Sequence, residues 1–116
     1  FYKGLNMDNA LEQMLVKNIM ENFPEASSSL QCVKWRYDDW KYVFVDEDET
    51  VYKLDKEKLL SAVPLIFTDK WGKGLTQVPS NLLENEEVLE DWLCQADAWD
   101  FDAFVQLAIF GEVIYG

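Results

Sequence analysis

Apolar residues recur at three- and four-residue steps through Leu11, Met14, Leu15 and Ile19, with Phe23 extending the stripe. That spacing gathers them on one face of a helix. Asn and Asp at its start suit an N-cap and Pro24 stops it, so the pattern predicts a helix from about Asp8 to Phe23. The stretch EASSS at 25–29 then reads as a loop.

The period changes from about 3.6 to two at Leu30. LQCVKWRY (30–37) alternates Val33, Trp35 and Tyr37 with Lys34 and Arg36, and WKYVFV (40–45) sets Trp40, Tyr42 and Phe44 opposite Lys41. TVYKL (50–54) is shorter but equally rich in β-branched and aromatic residues. Breaks at DD (38–39) and DEDE (46–49) divide the three runs, which predicts a three-stranded antiparallel meander. Its aromatic positions are expected to be core or cross-strand pairs.

Helical spacing returns after Asp55, which suits a cap for KEKLLSAV, and Pro64 kinks or ends that helix. Residues 68–79 hold two glycines and a proline and read as irregular. Asn81 or Ser80 then caps a third helix, with Glu84 placed as in a capping box and Leu82, Leu89, Trp92, Leu93 and Ala96 facing inward. Asp97 or Asp100 caps a fourth, whose body AFVQLAIFGEVIY (103–115) is apolar nearly all round. Such a helix is either central in a core or half covered by another chain. The expected fold is α+β: an N-terminal helix, the meander, then three C-terminal helices packed on one sheet face with the last central. A homodimer through that last helix is the companion expectation.

The 116 residues fit one domain, 1–116, and the 49% apolar content supports a real core. Met7 is a candidate start, which would place residues 1–6 upstream of the natural chain. No run of 18 apolar residues is present, so no membrane span is expected. Cys32 and Cys94 are too few and too far apart for a disulfide scaffold. They read as reduced, buried core thiols, and with no N-x-S/T site they point to a cytoplasmic location.

Charge changes the picture most. The net charge is −12, and residues 80–116 carry nine acids and no base. Direct nucleic-acid binding is therefore not expected, and a basic protein is the favoured partner. Histidine is absent, which removes Ser-His and Cys-His nucleophile systems and the usual zinc sites. KWGKGLT (70–76) misses the spacing of a phosphate-binding loop. Asp100 and Asp102 start like a calcium loop, but Phe104, Val105 and Gly111 fall where later ligands and the glycine belong. Glu112, in an apolar helix, is the one candidate for a raised carboxyl pKa. Neither catalytic residues nor a cofactor or metal site is expected.

What remains is the acidic helix. Glu84, Glu87 and Asp91 share one predicted stripe and Glu86 with Glu90 a second, and no base on the helix relieves them. Either they are a solvated outer face, or they dock on a basic partner. Trp71 and Trp99, if exposed, would anchor that interface. The expected role is a small acidic, non-enzymatic binding protein. Small acidic inhibitors of phage or mobile-element origin supply an analogy. A DNA-mimic inhibitor of a nucleic-acid-binding protein is the second reading, and an enzyme working through acidic residues the third.

Overall fold

The structure, a computed structural model, describes residues 2–22, 30–72 and 74–114, with side-chain surroundings defined from residue 10 onward. Its elements run α1 (Tyr2–Asn22), β1 (Gln31–Arg36), β2 (Lys41–Val45), β3 (Val51–Leu54), α2 (Lys56–Ala62), α3 (Glu86–Gln95) and α4 (Ala98–Phe110). The α+β reading holds, with the sheet an antiparallel meander in the order β1-β2-β3.

Helix α1 starts well before Asp8, so that residue is interior to the helix and not at its start. The predicted end at Phe23 lies outside the described residues. Leu15, Val16, Ile19 and Met20 are buried and Leu11 and Met14 half-buried, a wider stripe than the one read from the sequence.

In the sheet, Tyr42 and Phe44 lie opposite Leu54 and Tyr52 on one face. That face is the core side, with Tyr42, Phe44 and Leu54 buried. Strand β1 departs from simple alternation. Cys32 pairs with Phe44, yet Lys34 pairs with Val43 and Trp35 with Tyr42, so Val33 is a bulged extra residue. The bulge puts Cys32 and Trp35 on the side of Phe44 and Tyr42. Val33 is left 49% exposed, and on this edge strand Trp35 is still 43% exposed. The expected core face is therefore corrected at Val33, which the bulge removes from it, while Trp35 keeps its side but, like Tyr37, stays partly exposed at the sheet edge. Trp35 and Tyr37 form the outer end of a ring series that passes through Tyr42 to Phe44, with centroids 6.0–6.5 Å apart.

Trp40 lies outside the strands. It takes a left-handed conformation (φ 57°) at the β1–β2 turn, uncommon for a bulky side chain. Lys17 of α1 and Lys56 of α2 hold their ammonium groups 5.9 and 5.1 Å from its ring centroid. At the β2–β3 turn, Asp46 accepts hydrogen bonds from the N–H groups of Asp48 and Thr50 and from the Tyr52 hydroxyl, all at 2.9 Å.

Asp55 caps α2 by accepting from the Lys58 N–H at 2.9 Å, and the chain tightens into 3₁₀ turns from Val63, next to Pro64. The start of α3 is later than Ser80 or Asn81. Asn85 is the cap, its side-chain oxygen accepting from the N–H groups of Glu87 and Val88, while 80–84 form turns. Helix α4 opens with a capping box made by Asp97 and Asp100. It ends at Gly111 in the left-handed conformation (φ 76°), whose N–H reaches the Leu107 carbonyl, so Glu112 lies beyond the helix and is exposed.

Ala103, Phe104, Val105 and Leu107 of α4 are buried against α2, β3 and α1. This explains the all-round apolar sequence of α4 by central placement. Helix α3 packs chiefly on α1, and its Leu89 and Trp92 are buried. Among the described residues, no helix is long and apolar enough to cross a membrane.

Candidate functional site

The acidic surface is built on α3. Leu89 and Trp92 are buried and Val88 and Leu93 half-buried, which fixes the opposite face toward water. Glu86, Glu87, Glu90 and Asp91 are all exposed there. Glu86 and Glu87 occupy the first turn, where a negative charge is favoured by the helix dipole. Glu90 and Asp91 are four residues on and gain less from it, and each i,i+4 pair costs a few tenths of a kcal/mol by repulsion. No described cation comes within 4 Å of these four, whereas Arg36 pairs with Asp39 at 3.5 Å. Glu84 is exposed too, but it belongs to the preceding turn, its N–H bonded to the Asn81 carbonyl. The predicted three-member stripe thus shortens to Glu87 and Asp91, because Asn85 displaces Asn81 as cap.

Beside this face runs a cleft of about 450 Å³, lined by Val88, Asp91, Trp92 and Gln95 of α3 and by Thr76, Gln77 and Pro79 of the preceding segment. That segment is fastened from two sides. The Trp71 indole N–H donates to the Thr76 carbonyl at 2.9 Å, and the Trp92 indole N–H to the Gln77 carbonyl at 3.1 Å. Asp100 accepts from the Thr76 N–H at 2.8 Å, the Thr76 hydroxyl at 2.6 Å and the Asp97 N–H at 2.9 Å.

One expectation changes here and another is extended. Trp71 is only 5% exposed and its ring packs 6.2 Å from that of Trp92, so it is a core residue with no face free to anchor a partner. Asp100, read from the sequence as a candidate cap, is 1% exposed and also ties Thr76 to α4. Sequence reasoning missed the pairing of Thr76 with Asp100, because two polar residues 24 positions apart carry no local signal. Trp99, at the start of α4, is 67% exposed and does meet the condition set for it.

The other candidates are spread out. Asp102 accepts from the Gln106 side chain at 2.8 Å, and Gln106 in turn accepts from the Ile114 N–H at 2.8 Å. Cys32 is half-buried, and burial pushes its thiol up to about 11, which keeps it protonated at neutral pH. Cys94 is exposed on α3, which corrects its expected burial, and both cysteines are free. Compared with known protein families, with curated proteins and with solved structures, the chain matches none.

Proposed function

We propose that this protein is a non-enzymatic binding module that docks a basic protein on the exposed face of α3. The observation that carries this reading is the cleft beside Asp91. A carboxylate next to the apolar surfaces of Pro79, Val88 and Trp92 suits the two-part chemistry of an Arg or Lys side chain, an aliphatic stem with a charged head. Glu86, Glu87 and Glu90, exposed elsewhere on the same helix, add negative charge near that cleft, which steers a cationic surface. Trp99 supplies an exposed aromatic of the kind that dominates interface energetics. The α3 rows are only two carboxylates long on a ten-residue helix of about 15 Å. That favours a protein partner over imitation of a long phosphate track.

The test is affinity capture at about physiological salt, where surface steering reaches roughly 8 Å, with the natural chain and a Glu87→Lys/Asp91→Lys bait side by side. A basic protein held by the first and released by the second supports the reading. If duplex DNA displaces that protein competitively, the partner is a nucleic-acid-binding protein and mimicry takes over. Identical capture by both baits overturns the proposal.

A further inference from the structure

The outward face of the sheet carries the opposite charge. Lys34, Arg36, Lys41, Lys53 and Lys58, half of the ten basic residues in a chain of net charge −12, line one groove of about 440 Å³. We infer that this groove is a binding site for a compact phosphate chain, a di- or triphosphate that is free or carried by a nucleoside.

The register explains the gathering. Lys34, Val43 and Lys53 form one row across the three strands, and Arg36 with Lys41 forms the next. Strands lie about 4.8 Å apart and alternate residues about 6.8 Å along a strand. Lys34 and Lys53 are thus roughly 10 Å apart across the sheet, with the second row about 7 Å away. Lys58 comes from the first turn of α2, its ammonium donating to the Lys53 carbonyl at 3.3 Å. All five are exposed.

Little answers this charge. Arg36 is shared with Asp39, and the one carboxylate lining the groove, Asp55, is occupied as the cap of α2. No described carboxylate lies within 4 Å of Lys34, Lys41, Lys53 or Lys58. Protection of sheet edges accounts for charges on β1 and β3, Lys53 included, but Lys41 is on the central strand and Lys58 on a helix. Like charges placed this close repel, and an anion between them removes that repulsion.

Size selects the ligand. A stable protein interface takes about 800 Å² from each partner, several times the area spanned by two rows of the sheet. A long polyanion would also meet the acidic remainder of the molecule. Three or four negative charges within about 10 Å match a short phosphate chain, and lysine ammoniums act on phosphate as point charges. This inference is independent of the α3 reading, since it uses none of its residues.

Titration at low salt with tripolyphosphate and with adenosine triphosphate, followed by calorimetry and amide chemical shifts, tests it. Saturable 1:1 binding is expected, with the largest shifts at Lys34, Val43 and Lys53. Lys34→Gln/Lys53→Gln should weaken it about tenfold, whereas Lys70→Gln, outside the groove, should leave it unchanged. Tighter binding of the nucleotide assigns the chain to a nucleoside carrier, and equal binding assigns it to the free form. Absence of shifts at these amides at millimolar probe overturns the inference. So does equal binding of citrate, or equal weakening by Lys70→Gln.

Discussion

Asp100 and Asp91 belong to neighbouring helices of one acidic chain, yet they do opposite work. Asp100 is buried and collects three hydrogen bonds, two of them from Thr76. Asp91 is exposed beside a cleft and takes none from the described residues. With 22 acids present, acidity alone identifies neither role. The donors around each carboxylate do: where the fold supplies N–H and O–H groups the charge is structural, and where it supplies none the charge faces solvent and is open to the partner proposed above.

The sharpest way to break this contrast is Asp100→Ala. It would strand the Thr76 and Asp97 N–H groups, and urea unfolding should show a loss of about 3 kcal/mol. A loss below about 1 kcal/mol would mean the clasp is incidental. Asp97→Ala removes half of the α4 capping box and should cost about 1 kcal/mol in the same assay.

Acid titration separates a third carboxylate. Burial pulls the Asp46 carboxyl upward, but the Thr50 N–H, the Tyr52 hydroxyl and the Asp48 N–H outweigh it and hold the group below its ordinary 3.8. Its folded pKa is depressed, so its stabilisation is present above the unfolded value and is lost as pH falls through the lower folded one. Asp46→Asn should therefore flatten the acid limb of a stability-versus-pH curve below about pH 4 and lower the plateau above it. An unchanged acid limb would remove Asp46 from the structural group. The smallest effect belongs to α3: Glu90→Gln/Asp91→Gln, beyond the first turn, should raise stability by a few tenths of a kcal/mol, because repulsion with Glu86 and Glu87 is relieved and no internal partner is lost. A measurable destabilisation would show that these carboxylates are structural after all.

Periodicity carried the fold far. The change from 3.6 to two at Leu30 located the sheet, and the all-round apolar run of α4 announced a central helix. What escaped were choices between near-equal local options. Asn81 and Asn85 are both good caps, and the run of turns at 80–84 settles the competition for Asn85. The bulge at Val33 puts Cys32 on the inner side in its place while Trp35 keeps the side its alternation predicts, and its sequence carries no glycine to mark it. Trp71, between a charged residue and a glycine, looked like a loop anchor. Its indole N–H finds a carbonyl only five residues away, which allows the ring to be buried. The exposed acids of α3 were legible because amphipathic spacing is local. The cationic sheet face needed the cross-strand register, which a single strand does not reveal.

The indoles of Trp71 and Trp92 grip consecutive carbonyls from two sides while their rings lie 6.2 Å apart, whereas Trp99 stands in water. The five tryptophans therefore differ optically. The coupled, shielded pair should give structured near-ultraviolet dichroism and blue-side emission that iodide does not reach, whereas Trp99 and the partly exposed Trp35 should emit to the red and be quenched. In a Trp35→Phe/Trp40→Phe background light reports two events separately: the red component follows anything that covers the start of α4, and the dichroism of the pair follows release of the segment held between them.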